Sequence, residues 1–380
     1  MSSYSNSPHA IALHYISHPR FHRRFTLPAT ADHDTLTVTY ADIGSTPDPP
    51  NLNPPTILFM PGMFASRYTG ALIHAIAEKL GVRVLVVDRP GMGDSTDVPL
   101  DQRLPIWLEL VPRLLTHLGI EHVALVSHSL GTIYLLNTLF YCRQYLHPVR
   151  PFVAFLAPWV HPSHSGVTSL QMAQYVPTTA FGLWHLIPKF LLLKFGPVIT
   201  SSGVAIGKIS NGISSGVSSS SIAENAESER NRRQIEAEYG ISRDVQVEIY
   251  DLMLKRMFGE NTVGANSEAL QGLRKGADSA KTWGKCEDNA RYVRELVEIE
   301  KARLNGGGQR LKVRAYFAGS DSMIGEKGRE YVEKCWSGDI GECEDALDFE
   351  AVAFPGLQHD SLVESAEVWK SIFLQAGGGL

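Results

Sequence analysis

A serine in a tight turn of small residues is the most chemically informative feature of the sequence. Ser129 lies within Val126–Gly131 (VSHSLG), which follows a short apolar run and opens a helical pattern. A strand-to-helix turn holds a serine hydroxyl out at a sheet edge, and it needs small residues two positions away, here Ser127 and Gly131, because the two backbones approach closely. The pattern predicts a nucleophile. The alternative is that Ser129 only caps the helix that begins at Leu130.

An acid and a base occupy comparable positions later in the chain. Asp321 follows the strand pattern Leu311–Phe317, and His359 follows the strand pattern Phe349–Phe354. A serine hydroxyl becomes a strong nucleophile when an imidazole accepts its proton and a carboxylate orients that imidazole. Taken alone, His359 is one of fourteen histidines and Gly-Ser-Asp is an ordinary turn. Their joint placement after strands predicts that they act with Ser129.

The elements that must position these residues alternate along the chain. Four apolar runs predict buried strands: Thr56–Met60, Val82–Val87, Val123–Val126 and Phe152–Leu156. Helical patterns lie between them: Tyr68–Leu80, Leu104–Leu118 and Leu130–Tyr145. Before them, His22–Leu27 and Thr35–Ile43 predict an antiparallel hairpin. With the last two strands, the order predicts an α/β fold with a mostly parallel central sheet of about eight strands and helices on both faces.

The serine motif resembles the nucleophile elbow, G-x-S-x-G, of the α/β-hydrolases, with Ser127 in place of the first glycine. Val87–Ser95 (VDRPGMGDS) resembles the D-x-x-G-x-G-x-S loop of the same superfamily, in which Asp88 and Asp94 are expected to be structural. The chain order serine, acid, histidine also matches that superfamily. The resemblance implies a catalytic triad of Ser129 as nucleophile, His359 as general base and Asp321 as the orienting acid.

The same resemblance assigns an oxyanion hole. Met60–Phe64 (MPGMF) follows the first buried strand, where the superfamily carries an H-G-x motif, and proline replaces the histidine here. The implied donors are the backbone N–H groups of Met63 and Leu130, which would stabilise the oxygen anion formed on acyl attack. The alternative is a simple Pro-Gly turn.

Other acids fit the triad less well than Asp321 does. Some relatives place the acid after the strand that precedes the cap, but Ala157–Gly166 contains no Asp or Glu. Asp339 has no strand pattern before it, and Asp360 is adjacent to His359, which is an awkward position from which to hold its ring.

The sequence divides into a core and an insertion. We expect a flexible N-terminal tail over residues 1–20, the first part of the core over 21–160, a helical cap over 161–308 and the second part of the core over 309–376. The apolar stretch Phe181–Gly207 contains two prolines and two lysines and is a poor membrane span. Contact of the cap with a membrane surface is the less favoured alternative to packing on the core. The Ser/Gly-rich stretch Ser201–Ser221 predicts a flexible loop.

Composition restricts the partners. The net charge is −5 with no long basic run, which argues against nucleic acid as a partner. Four cysteines without metal-ligand spacing indicate reduced thiols, and the polar N-terminus has no signal-peptide core, so we expect an intracellular, cytoplasmic protein. His161 and His164 have no carboxylate or cysteine cluster nearby. No metal is therefore expected, and hydrolysis through a serine requires no cofactor.

The expected activity is hydrolysis of a carboxylic ester or a related acyl compound. A serine nucleophile disfavours the epoxide hydrolase and haloalkane dehalogenase branches, which use aspartate. Large apolar cap residues predict a hydrophobic small-molecule substrate: Phe181, Leu183, Trp184, Phe190 and Leu191. The alternative is a catalytically inactive member of the fold that binds a ligand.

Overall fold

The computed structural model describes residues 7–47, 53–187, 219–276, 281–338 and 343–379. Eight strands form one sheet in the order β1-β2-β4-β3-β5-β6-β7-β8. The strands are β1 (Arg23–Leu27), β2 (Leu36–Gly44), β3 (Thr56–Met60), β4 (Arg83–Val87), β5 (Ala124–His128), β6 (Phe152–Leu156), β7 (Leu311–Ser320) and β8 (Leu347–Gln358). The first two strands pair antiparallel, β2 pairs antiparallel with β4, and every later pairing is parallel. The predicted α/β fold with about eight strands is confirmed.

The four central strands β3 to β6 are buried at every position. They are covered on both faces, so each reads in sequence as an uninterrupted apolar run, and this explains why those runs locate them within two residues. The β8 strand differs, because its residues are partly exposed and it continues to Gln358 rather than ending at Phe354.

Helices connect the strands and form the insertion. Those of the core are α1 (Pro8–Ile16), α2 (Gly70–Lys79), α3 (Arg103–His117), α4 (Gly131–Tyr141), α11 (Gly325–Ser337), α12 (Ser361–Glu364) and α13 (Ala366–Ala376). Those between β6 and β7 are α5 (Pro162–Ser165), α6 (Thr168–Ala173), α7 (Ser219–Tyr239), α8 (Arg243–Gly259), α9 (Gly264–Gly272) and α10 (Asn289–Asn305). No strand lies among the described residues between β6 and β7, as the predicted helical insertion requires.

Part of the predicted cap lies outside the described residues. This applies to residues 188–218, and therefore to Phe190 and Leu191, to the apolar stretch beyond Ile187 and to most of the predicted Ser/Gly-rich loop. Within the described part of the chain, no helix combines the length and the apolar character that crossing a membrane requires. All four cysteines are buried free thiols.

The prediction of a flexible tail over residues 1–20 is wrong from residue 8 onward. The Ser7 side chain accepts a hydrogen bond from the Ala10 N–H at 3.2 Å and caps α1, which begins at Pro8. The helix buries Ala12 and Ile16 completely and packs against α8. Its apolar positions are few, and its partner lies more than two hundred residues away, so the local sequence pattern does not show that this segment packs.

Candidate active site

Ser129 occupies the turn that joins β5 to α4. Its backbone has a φ of 48°, a left-handed conformation that is unfavourable for a residue with a Cβ atom. The Ser129 N–H donates to the Leu156 carbonyl at 3.0 Å, which fixes the turn to β6. At Gly131, a Cβ atom would lie 2.0 Å from the Met60 carbonyl oxygen. The glycine is therefore required by the close approach of helix α4 to strand β3, as the sequence predicts.

The pairing of β7 with β8 brings the candidate acid and base together. Ala318 pairs with Phe354, but Ser320 pairs with Gln358, so β8 holds two additional residues at this irregularity. Asp321 and His359 are the residues that follow the last pair. The result is a short ion pair, in which His359 Nδ1 lies 2.9 and 3.0 Å from the two carboxylate oxygens of Asp321.

Asp321 is held as an anion by its surroundings. Burial would raise its pKa, but the charge and hydrogen bond of His359, together with two backbone donors, outweigh that effect and lower the pKa below its ordinary value. The donors are the N–H groups of Met323 and Ile324, each 2.8 Å from Oδ1. These bonds also fix the direction in which the carboxylate faces His359.

The ion pair with Asp321 raises the pKa of His359. Burial of the imidazole would lower the pKa, but Asp321 stabilises the cation through its charge and its hydrogen bond, with a smaller contribution from Asp360, so the net shift is upward. Since Nδ1 faces Asp321 and carries the proton in the neutral ring, Nε2 is the nitrogen that can accept a proton.

Ser129 and His359 line the same cavity, whose volume is about 350 Å³. Both residues are largely buried, at 7% exposure each. Among the hydrogen bonds of the described residues, none joins the Ser129 hydroxyl to the His359 ring. Catalytic hydrogen bonds are often long or poorly aligned in the ligand-free state and tighten when substrate binds, so this geometry does not remove either residue as a candidate.

His128 is a site residue to which the sequence assigned no role. Its Nε2–H donates to the backbone carbonyl of His359 at 3.1 Å, and the two rings lie 4.9 Å apart between centroids. Burial, followed by the charge of His359, lowers the pKa of His128 to about 3, so the ring is neutral at physiological pH. The signal was its position directly before Ser129, which places it against the candidate base.

The residues that carry the candidate oxyanion donors, Met63 and Leu130, line the same cavity as Ser129. The N–H groups of Met63 and Leu130 donate to no acceptor among the described residues, which leaves them available to a ligand. At Gly62, a Cβ atom would lie 2.9 Å from His128 Nδ1 and 3.4 Å from Ser129 Cβ, so this loop needs a glycine to approach the serine. The next residue but one, Phe64, has a φ of 66°, which turns the loop sharply.

The remaining candidate acids and metal ligands take other positions. Asp360 Oδ1 is 4.0 Å from His128 Nε2, and Asp339 lies outside the described residues. His164 stacks on Tyr331 with centroids 3.8 Å apart. His128, His359 and Asp360 have ligand atoms within 4.8 Å of one another. One nitrogen of each ring is hydrogen-bonded, in His128 to the His359 carbonyl and in His359 to Asp321.

Comparison with known proteins agrees with this architecture. Residues 57–207 match the sequence model of the alpha/beta hydrolase family. The epoxide hydrolase VrEH1 from Vigna radiata has a similar structure, with a TM-score of 0.52, 17% identity and coverage of 94% of this chain and 98% of that chain. An alpha/beta hydrolase fold protein from Nakamurella multipartita has a TM-score of 0.52, 14% identity and coverage of 94% and 100%.

A third similar structure is the putative ancestral haloalkane dehalogenase AncHLD2, with a TM-score of 0.52, 13% identity and coverage of 93% of this chain and 98% of that chain. No curated protein sequence matches the chain significantly. At these identities the structural likeness concerns the fold. Together with the eight-stranded sheet and the match of residues 57–207 to the family model, it shows that the chain has the α/β-hydrolase fold.

Proposed function

We propose that the protein is a serine hydrolase that cleaves a carboxylic ester or a related acyl substrate through Ser129, His359 and Asp321. The observation that carries this proposal is the ion pair of His359 with Asp321 at 2.9 Å, together with the fact that His359 lines the same cavity as Ser129. A buried carboxylate that orients a histidine beside a serine on a strained turn is the arrangement that nucleophilic catalysis needs.

Acylation follows from these positions. The Ser129 hydroxyl attacks the substrate carbonyl carbon while His359 Nε2 accepts its proton. The tetrahedral intermediate then collapses, the leaving alcohol takes the proton from His359, and the acyl group stays on Ser129 as an ester. Asp321 stabilises the imidazolium formed between these two steps, as the raised pKa of His359 indicates.

Deacylation repeats the sequence with water as nucleophile. His359 takes a proton from water, the resulting hydroxide attacks the acyl carbon, and the proton passes to the Ser129 oxygen as the carboxylic acid leaves. In both halves the carbonyl oxygen becomes an anion, for which Met63 and Leu130 are the proposed backbone donors. Loss of one oxyanion donor typically costs about 3–4 kcal/mol of transition-state stabilisation.

The cavity favours an apolar acyl or alcohol group. Large apolar side chains dominate its wall: Leu170, Trp184, Met253, Met257 and Phe258. Its volume of about 350 Å³ lies within the range of small-molecule sites. A serine stands at the nucleophile position, which favours acyl transfer over the reactions named for the epoxide hydrolase and haloalkane dehalogenase structures.

Labelling with a fluorophosphonate probe tests the nucleophile. The wild-type protein is expected to bind the probe covalently, and Ser129→Ala is expected not to react. Ser127→Gly is the matched control, since Ser127 is fully buried two residues away and stands where the resembling motif has glycine. Labelling of Ser129→Ala, or no labelling of the wild type, would contradict the proposal.

A series of p-nitrophenyl esters of increasing chain length then measures how long an acyl group the cavity accepts. We expect kcat/KM to rise from acetate to medium-length chains and to fall once the chain exceeds the cavity. The same measurements test the alternative of an inactive binding protein. That alternative predicts no labelling at Ser129 and no hydrolysis above the rate of the Ser129→Ala variant.

A further inference from the structure

We infer that Arg89 positions the Met63 N–H through the Gly62 carbonyl, and that Glu268, which belongs to the insertion, holds Arg89 in place. The insertion thereby completes the oxyanion hole of the core. This inference rests on the proposed function, because it assigns a purpose to the Met63 N–H as a donor to the substrate oxygen.

The contacts of Arg89 fix two consecutive peptide planes. Its Nη1 donates to the Pro61 carbonyl at 2.6 Å, and its Nη2 donates to the Gly62 carbonyl at 2.8 Å. In a trans peptide the C=O of one residue and the N–H of the next point in opposite directions. The Gly62 carbonyl faces Arg89, so the Met63 N–H must face the other side of the same plane.

The guanidinium also makes that N–H a better donor. A carbonyl that accepts a hydrogen bond from a cation is polarised, and polarisation passes along the peptide to its N–H group. The Arg89 side chain is only 1% exposed, so little water competes for the carbonyl or screens the charge.

Glu268 on α9 fixes the guanidinium from the opposite side. Its two carboxylate oxygens accept from Arg89 Nε at 2.6 Å and from Nη2 at 3.0 Å. Arg103 on α3 donates to the same carboxylate at 3.2 Å. Glu268 and Arg103 are 0% exposed. A buried charge is stable only beside an opposite charge, so the Glu268 carboxylate and the two guanidinium groups stabilise one another.

The start of α9 is attached to the loop that carries Arg89. The Gly264 N–H donates to the Gly91 carbonyl at 3.0 Å, and the Gly93 N–H donates to the Asn261 carbonyl at 2.9 Å. A Cβ atom at Gly264 would lie 2.2 Å from the Pro90 carbonyl oxygen, so the two backbones are in direct contact. Glu268 follows about one helical turn later and reaches Arg89 from this fixed point.

The test uses the full-length chain with Arg89→Lys and Glu268→Gln. Lysine keeps the charge, but its single nitrogen cannot reproduce the four bonds that the Arg89 guanidinium directs from three nitrogens to Pro61, Gly62 and Glu268. The readouts are kcat and KM for a p-nitrophenyl ester and the Ki of benzeneboronic acid, whose tetrahedral adduct with the serine places an oxygen in the oxyanion hole.

For Arg89→Lys we expect kcat to fall about 10- to 100-fold, because the donor is misdirected rather than lost, while KM stays within about threefold. The Ki of the boronic acid should rise by the same factor as kcat falls. Glu268→Gln should show the same pattern with a smaller amplitude, and it decides the outcome if Arg89→Lys does not fold.

Glu260→Gln is the matched control. Glu260 accepts from Arg67 at 2.8 Å and so forms a second ion pair between insertion and core, but Arg67 faces Asp88 and not the 61–63 loop. The kcat of the Glu260→Gln variant and its Ki for the boronic acid should stay within about threefold of wild type.

Two outcomes would overturn this inference but not the proposed function. One is folded Arg89 and Glu268 variants with unchanged kcat and Ki, and the other is a Glu260 variant with the same losses. An unlabelled wild-type Ser129 would overturn the proposed function and this inference together.

Discussion

The imidazole of His128 donates its Nε2–H to the backbone carbonyl of His359, the candidate base, at 3.1 Å. This bond holds the backbone of the loop that carries the base, from the residue directly before the candidate nucleophile. Because burial keeps His128 neutral, its contribution is positional rather than electrostatic.

Replacement of His128 by phenylalanine should therefore destabilise the protein. The substitution leaves a buried carbonyl without a donor, which costs about 1–3 kcal/mol. His128→Gln retains a donor and should lose less stability. The free energy of unfolding in urea measures the difference between the two variants.

The same His128→Gln variant predicts an unchanged pH profile. The acidic limb of the pH profile of kcat/KM should not move, since a ring with a pKa of about 3 does not titrate in that range. A shifted limb would show that His128 itself titrates during catalysis.

The pH dependence of activity should report the ion pair of His359 with Asp321. Only neutral His359 accepts a proton, so kcat/KM falls as pH decreases through its pKa. Asp321 raises that pKa above 6.5, so we expect the limb above 6.5 in the wild type. Asp321→Asn should move it downward and reduce kcat by on the order of 10³–10⁴-fold, because the imidazole loses its orientation. If the pH profiles of the wild type and Asp321→Asn coincide, Asp321 is not the residue that sets the pKa of His359 during catalysis.

The same pair predicts how stability depends on pH. His359 has a raised pKa, so its contribution is complete below 6.5 and is lost as pH rises through the folded-state value. Asp321 has a lowered pKa, so its contribution is present above 3.8 and is lost as pH falls through the folded-state value. The difference in unfolding free energy between the wild type and Asp321→Asn should be largest between these limits. A difference that is constant from pH 4 to 9 would contradict the coupling.

The left-handed backbone of Ser129 predicts that the protein gives up stability to hold the serine in this position. A left-handed conformation costs a residue with a Cβ atom roughly 1–2 kcal/mol, and glycine avoids that cost. Ser129→Gly should therefore be about 1 kcal/mol more stable than Ser129→Ala, while both are inactive. Thermal and urea unfolding of the two variants provide the comparison, and equal stabilities would mean that the turn stores no strain.

The contact of α4 with β3 predicts a large penalty at Gly131. Gly131→Ala places a Cβ atom 2.0 Å from the Met60 carbonyl oxygen, and the two elements must separate. We expect a loss of about 3 kcal/mol, at the upper end of overpacking costs, with reduced activity. Gly259→Ala is the control, since no atom lies within 4 Å of its Cβ position, and it should be neutral or slightly stabilising.

The sequence predicted the fold well where burial is complete. The apolar runs predicted at β3 and β6 match the observed strands. A strand covered on both faces is apolar at every position, so the first and last apolar residues mark its ends. The end of β8 was harder to predict. Residues 355–358 look like a loop because they include Pro355 and Gly356, yet the irregular pairing with β7 extends the strand to Gln358.

The candidate site was predictable where its residues follow strands, and less so where they depend on distant contacts. Ser129, Asp321 and His359 are each recognisable from their place at a strand end. Glu268 gives no such signal, because its importance comes from two arginines more than 160 residues earlier. The role of His128 likewise depends on the loop at residue 359.

The N-terminal helix has a consequence for protein engineering. Helix α1 packs on α8, and His9 Nδ1 lies 2.7 Å from a carboxylate oxygen of Glu248 on that helix. Helix α8 also supplies Met253 and Met257 to the cavity wall. A deletion or fusion that disturbs residues 8–16 would thus reach the cavity wall through one intervening helix. If the proposed function holds, changes in this distant helix alter the chain-length preference while every cavity-lining residue stays the same.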